Sequence, residues 1–294
     1  MPRPRIHVTA PVPVEVDEAL RRDFETSDSP ERVEGIVAML TTRVDGAYLD
    51  RVGPQLKVVA NYAVGLNNVD LAAAAERNVV VANTPDVLTR ATAELAVGLM
   101  LAQLRRIAEG DRFVRRREEW LFSLEFMLGS RLDGKRLLVV GPGRIGRETA
   151  RLAEGLGARP TFSGRNDDLH TFLAEADIVS LHVPLTPETR HLIGAEALSA
   201  MRRSAILVNT ARGPIVDEQA LVEALRAGEI AGAALDVYER EPEVEEGLLA
   251  MENVVLTPHL GSATRDTRVA MGMLCVEALR AVLLDGRRPA NAVG

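Results

Sequence analysis

The stretch LDGKRLLVVGPGRIGRETARLAEGL, residues 132–156, constrains the fold more than any other. A continuous apolar run, a glycine turn and an amphipathic segment read as a buried strand, a tight turn and a helix. Gly141, Gly143 and Gly146 fall at GxGxxG, with Arg144 and Ile145 opening the helix. Glycine allows the tight turn, lets a pyrophosphate approach the backbone, and packs helix against strand, while helix N-terminal amides hold the phosphate. By itself the pattern is weak, because a glycine turn of purely structural use looks the same. In its strand-turn-helix setting it reads as a dinucleotide site.

The rest of the chain repeats the same alternation. Before residue 90 come IHVTA, GIVAML, KVVANYA and VVVANT, separated by helix-like segments; after the glycine turn come DIVSLHVP, AILVNTA, AGAALDVY and NVVLTPH. Strands alternating with helices argue for βαβ units and parallel sheets. Between the two series ATAELAVGLMLAQLRRIAEGDRFVRR reads as one long connector helix, and RDTRVAMGMLCVEALRAVLLDG as a closing helix that returns the chain to its first domain. A length of 294 residues suits two domains.

Composition narrows the function. A formal charge of −7 argues against a nucleic-acid footprint, and the one basic block, ArgPheValArgArgArg at 112–117, runs straight into Glu118 and Glu119 as a solvated helix face. The single cysteine, Cys275, excludes an internal disulfide or a cysteine-built metal cluster and reads as a core thiol in a reducing cytoplasm. No metal site is expected. Apolar stretches are too short to span a bilayer and the N-terminus lacks a secretory h-region, so no membrane partner is expected.

Three residues at strand ends carry possible chemistry: Arg212 in VNTARG, Glu241 in DVYEREP and His259 in TPHLGSAT. Reducing a 2-keto acid needs a cation for the carboxylate and ketone, and an acid for the forming alkoxide. A carboxylate beside a histidine favours the imidazolium. Singly, each residue has a plain alternative: a loop hydrogen bond, a surface acid, a satisfied histidine. Jointly they lie where α/β sheets bind ligands.

The segments ATAELAVGLMLA, VVGPGRIG, ADIVSLHVPLTPETRHLIG, ILVNTARGPIVDEQALVEAL, AGAALDVYEREP and LTPHLGSAT resemble the D-2-hydroxyacid dehydrogenase family, its glyoxylate and hydroxypyruvate reductases above all. The resemblance runs from about residue 55 to the C-terminus. It implies an α/β fold of two doubly wound parallel-sheet domains: a flavodoxin-like substrate domain from 1–89 and 266–294, and a Rossmann-type cofactor domain, 90–265. It further implies that Arg212 binds the substrate carboxylate and carbonyl, that His259 donates the proton, and that Glu241, rather than Glu239, pairs with His259. Backbone amides of Val64 and Gly65 would hold the substrate carboxylate. Cofactor contacts are implied for Thr92, Val183, Pro184, Thr210, Ala211, Asp236, His259 and Gly261. For Asp236 a strand-end structural role, and for Thr92 a helix N-terminal one, stay open.

The sequence departs from the family at RPTFSGRNDDLHTF, where only Asn166 to Thr171 separate Arg165 from the next family segment. The cofactor domain is therefore expected to have a shortened edge. Where an acidic residue would select NAD, the chain has Ser163, Gly164 and Arg165, which suit the 2′-phosphate of NADP. Asp167 and Asp168 stand nearby with the opposite charge. NADP(H) is the expected cofactor, with NAD(H) possible. The expected reaction is reduction of glyoxylate or hydroxypyruvate by a cytoplasmic homodimer. The alternatives are an NAD-dependent dehydrogenase of another D-2-hydroxy acid, such as phosphoglycerate, and a non-catalytic dinucleotide-sensing protein.

Overall fold

The computed structural model describes residues 2–293. It divides into two compact units, one made of the residues up to Leu88 with those from Ser262 onward, the other Thr89–Gly261. The chain begins with β1 (Arg5–Val8), α1 (Val14–Asp23), β2 (Glu25–Ser27), β3 (Gly35–Ala38), α2 (Gly46–Val52), β4 (Val58–Asn61), α3 (Leu71–Glu76) and β5 (Val80–Ala82). The second unit follows with α4 (Thr89–Leu104), α5 (Ile107–Arg115), β6 (Arg136–Val140), α6 (Arg144–Glu154), β7 (Arg159–Ser163), α7 (Leu169–Leu173) and β8 (Ile178–Leu181). It continues through α8 (Ala195–Ala200), β9 (Ile206–Asn209), α9 (Glu218–Ala227), β10 (Gly232–Leu235), α10 (Glu246–Leu249) and β11 (Val254–Leu256). Finally α11 (Arg265–Leu283) and β12 (Ala292–Val293) complete the first unit.

The first sheet has the order β2-β1-β3-β4-β5-β12, parallel except for β12. The second has the order β7-β6-β8-β9-β10-β11, parallel throughout. Strands β3, β4, β8, β9 and β10, inside the two sheets, are buried along their whole length because helices cover both faces, so they read as apolar runs without alternation. On one face of the second sheet Leu137, Val139, Ile206 and Val208 pack with Val97, Met100, Ala150 and Ala153 of α4 and α6. On the other, Leu138, Val140, Val179 and Leu207 pack with Leu198, Leu221 and Leu225 of α8 and α9. Helix starts follow the sequence: Asp45, Asp70, Asp217 and Thr264 cap α2, α3, α9 and α11 through their side chains.

Three local features differ from, or add to, the sequence reading. The connector is two helices, since Arg106 takes a left-handed φ of 54° and the Leu104 carbonyl accepts the Ser130 amide at 2.8 Å. Gly129 makes this docking possible: a Cβ there would lie 2.4 Å from the Leu104 oxygen. Strands β2 and β12 are too short to carry a periodic signal. At the far edge, β7 is the last strand among the described residues, and only the short α7 separates it from β8, which is the shortened edge expected from the sequence. The basic block is solvated and ion-paired, Arg112 and Arg116 with Glu252, and Arg115 with Asp111. Cys275 is a buried free thiol. Among the described residues no helix is long and apolar enough to cross a membrane.

Candidate active site

The glycine turn sits between β6 and α6. Gly141 takes φ +100°, a region glycine adopts without steric cost, and its amide donates to the Ser163 carbonyl at 2.9 Å. A Cβ on Gly146 would fall 2.3 Å from the Gly141 oxygen, so helix and turn can meet only with glycine there. Gly143 caps α6 without a side chain and faces open space. Arg144 and Ile145 follow as the first helical residues, and Val183 packs against the Gly141 position while Pro184 is exposed. Thr210, at the carboxyl end of β9, buries its hydroxyl oxygen without a hydrogen-bond partner. A bare backbone cradle at the positive end of a helix, with a buried unsatisfied hydroxyl two strands along the same sheet end, fits a dinucleotide pyrophosphate and its flanking groups.

At the end of β7, Ser163 is buried and Arg165 is exposed, its guanidinium 3.9 Å from Glu188. The Asp167 carboxylate folds back to accept the Gly164 amide at 2.7 Å. Asp168 instead caps α7, accepting from the His170 amide and the Thr171 hydroxyl.

The three strand-end candidates come together on adjacent strands β9, β10 and β11. Asn209, fully buried at the end of β9, accepts the Ala211 amide and donates to the Arg212 carbonyl, 3.0 and 2.9 Å, which curls the turn back on itself. Gly213 follows where a Cβ would lie 1.8 Å from the Tyr238 carbonyl carbon, so this turn lies directly against the loop leaving β10. That loop presents Glu241, whose Oε1 accepts the Tyr238 amide at 3.1 Å and whose Oε2 pairs with Nδ1 of His259 at 2.8 Å. His259 holds a left-handed φ of 55°, sustained by its N–H, which donates hydrogen bonds to the Asp236 and Thr257 carbonyls. Asp236, buried at the end of β10, accepts the Thr257 hydroxyl and the Leu260 and Gly261 amides. The Thr92 hydroxyl of α4 donates to the Gly261 carbonyl at 3.0 Å. Asp236 and Thr92 thus hold the loop that carries His259.

Within the first unit, Val64 and Gly65 lie in the turn after β4. The Ala63 carbonyl accepts the Thr84 amide, the Val64 carbonyl accepts the Asn83 side chain, and the Gly65 carbonyl accepts the Asn61 side chain. A trans peptide sets N–H opposite its C=O, so the Val64 and Gly65 amides point away from residues 83 and 84.

A family profile described as D-isomer specific 2-hydroxyacid dehydrogenase, NAD binding domain, matches residues 97–261. The chain belongs to this family. Among curated relatives, a glyoxylate reductase of Thermococcus litoralis is 44% identical over 278 residues, covering 89% of this chain and 83% of that one. A crystal structure of a Thermus thermophilus protein superposes with a TM-score of 0.93 at 42% identity, covering 99% and 100% of the two chains. An NADPH-dependent glyoxylate/hydroxypyruvate reductase from Sinorhizobium meliloti, solved with NADP and malonate, gives 0.87 at 36% identity, covering 99% and 97%. This dehydrogenase is an oxidoreductase whose second unit is a Rossmann-type, NAD(P)-binding domain.

Electrostatics of the dehydrogenase site follow from its packing. Burial pushes the Glu241 carboxyl upward, but the His259 hydrogen bond and charge, the Tyr238 amide and the Arg212 guanidinium outweigh it and hold Glu241 below the ordinary carboxylate range. Burial pulls the Arg212 guanidinium down, with the Glu241 charge acting the other way; its ordinary value is high enough that the cation persists. Burial pushes the Asp236 carboxyl up against its three hydrogen bonds. Asn209, Gly213 and Tyr238 position this dehydrogenase site, yet the sequence reading named none of them. The Tyr238 hydroxyl donates to the Thr257 carbonyl at 2.9 Å and ties the Glu241 loop to the His259 loop. Only Asn209 had a local signal, a short polar side chain just before a turn.

Proposed function

We propose that this dehydrogenase reduces a small 2-keto acid, glyoxylate or hydroxypyruvate, to the D-2-hydroxy acid, with NADPH as preferred reductant and NADH accepted. The observation that carries the reading is the 2.8 Å pair of Glu241 with His259 Nδ1, set beside the loop that holds Arg212. With Nδ1 engaged, Nε2 is the nitrogen that hands a proton to the ketone oxygen. The Arg212 cation binds the carboxylate and polarises the carbonyl, so negative charge developing on oxygen is stabilised where it forms. When bound, the reduced nicotinamide supplies the hydride to the keto carbon. Glu241 stabilises imidazolium before proton transfer and holds the ring afterwards.

In this reading the unit Thr89–Gly261 is the cofactor domain and the other the substrate domain, whose Val64 and Gly65 amides are donors suited to a carboxylate. Ser163, Gly164 and Arg165 support NADPH, as does the NADPH-dependent relative. A phosphorylated substrate would want added cations, and Arg43 is already paired with Asp45 at 3.0 Å. A homodimer accounts for the exposed run from Trp120 to Leu128, where Leu121, Phe122 and Leu124 are each more than 80% exposed. The buried free thiol of Cys275 accords with a reducing cytoplasm.

The test is a set of initial rates for NADPH and NADH with glyoxylate, hydroxypyruvate, pyruvate and 3-phosphohydroxypyruvate. The two small keto acids should be reduced fastest, with NADPH ahead of NADH. Failure to oxidise either nucleotide with any of the four would overturn the reading in favour of a dinucleotide-sensing protein.

A further inference from the structure

The end of β7 lacks the carboxylate that would accept the ribose hydroxyls of NAD, yet the structure returns a carboxylate to that place from four residues downstream. Asp167 Oδ2 accepts the Gly164 amide at 2.7 Å, and the Asp167 amide donates back to the Gly164 carbonyl at 3.3 Å. A Cβ placed on Gly164 would lie 3.7 Å from Asp167 Oδ2 and 3.8 Å from Pro142 Cγ. Carboxylate and glycine turn therefore border the same small volume beside Gly164.

The other charges nearby are differently committed. Asp168 is used as the cap of α7. The Arg147 guanidinium lies over the Phe162 ring, 5.7 Å from its centre. Arg165 is 82% exposed, and its 3.9 Å approach to Glu188 is too long for a hydrogen bond, so it can swing toward a ligand. A phosphate arriving beside Ser163 and Gly164 meets one mobile cation and one carboxylate that already holds the local amide donor.

We propose that Asp167 is a selectivity residue for the cofactor: its carboxylate stands in for the acid missing from the end of β7 and restrains the preference for a 2′-phosphate that Arg165 creates. The inference rests on the dinucleotide reading of the glycine turn. A ribose 2′-hydroxyl can donate to this carboxylate, whereas a 2′-phosphate must displace it from the Gly164 amide against like-charge repulsion. The shortened edge makes this arrangement possible, because Arg165 and Asn166 form a tight turn that Asp167 closes, where a longer segment would carry the chain away. Both cofactors then remain usable, with Arg165 and Asp167 pulling selectivity in opposite directions.

The test is equilibrium binding of adenosine 2′,5′-bisphosphate and 5′-AMP, by calorimetry, to the whole protein as wild type, Asp167→Asn and Arg165→Ala. Asparagine keeps an oxygen for the Gly164 amide, so the turn is retained while the charge is removed. The bisphosphate should bind about five- to thirtyfold tighter to Asp167→Asn, with 5′-AMP nearly unchanged, as expected for removing one like charge a few ångström from a phosphate. Arg165→Ala should move the ratio the other way, and both shifts should shrink in about 0.5 M salt. An unchanged ratio in Asp167→Asn, or a change indifferent to salt, overturns the inference while 5′-AMP binding leaves the cofactor site standing. Absence of binding by either nucleotide to wild type overturns both readings.

Discussion

The two sheets are wound in the same order, with the first two strands of each reversed and the rest in sequence, yet only one of them ends its first strand in a nucleotide cradle. In the first unit β1 leads through Pro13, which caps α1, and Glu15 and Asp17 occupy the first turn of that helix. Those carboxylates complement the positive end of the helix dipole from within the chain. In the second unit β6 leads through Gly141 and Gly143, and α6 opens on Arg144 with no acid in its first turn. Topology thus supplies the same switch point twice; the residues of one turn decide which of them receives an anion.

The parallel extends two strands further along. Asn61 ends β4 and Asn209 ends β9, the fourth strands of their sheets, and both are fully buried. Asn61 donates to the Gly65 carbonyl at 2.8 Å and Asn209 to the Arg212 carbonyl at 2.9 Å, so one device fixes two turns. The first turn offers backbone amides, the second a guanidinium. The second unit adds a carboxylate–imidazole pair, Glu241 with His259, and the chemistry is therefore expected to fail from that side first. His259→Ala should lower turnover by about 10² to 10⁴ while nucleotide binding measured by fluorescence or calorimetry persists. Turnover within a few-fold of wild type would remove His259 from the role of acid.

A second way to sharpen the contrast is to give the cradle of the second unit the Cβ atoms that the first unit carries. In Gly146→Ala the new methyl meets the Gly141 carbonyl, so nucleotide binding should weaken by at least about tenfold and the melting temperature should fall. In Gly143→Ala the new methyl meets nothing within 4 Å, so the fold should hold and any loss should appear in nucleotide affinity alone. Equal behaviour of the two variants would show that helix packing and ligand approach are not separate jobs of this turn.

Most of this frame was legible in the sequence because it rests on local rules. Strands buried on both faces give unbroken apolar runs, and GxGxxG between strand and helix marks the cradle. Arg212, Glu241 and His259 were visible because each follows closely on such a run. Contacts made across the sheet left no local trace. Gly213 is required by the backbone of Tyr238 and Glu239, which the sequence places far away. The break at Arg106 was hidden because leucine and arginine favour helix, and the docking of Gly129 and Ser130 on the Leu104 carbonyl overrides that preference. Asp167 was visible as a charge near the edge, but its return to the Gly164 amide is a property of the turn.

The smallest expected effect concerns how each unit ties the helix after its first strand to a longer neighbouring one. In the first unit Arg265 and Arg280 of α11 reach Glu15 and Asp23 of α1, at 2.6 and 2.5 Å. In the second, Arg90 of α4 reaches Glu148 of α6 at 2.8 Å, and Arg151 holds the same carboxylate at 2.8 Å. Hydrogen bonds from Arg151 and then Arg90 bring the Glu148 carboxyl down to about 2, from an ordinary 4.5. A depressed folded-state value means the stabilisation is fully present above the ordinary value and is lost as pH falls from about 4.5 toward about 2. The carboxylate is solvent-accessible, so screening limits its worth to under about 1 kcal/mol at neutral pH. Glu148→Gln should therefore unfold at slightly lower urea than wild type at pH 7, and the two curves should converge as pH falls through that window. A gap that stays constant with pH would assign the effect of Glu148 to packing of its aliphatic stem between α4 and α6, and would make charge irrelevant to that contact.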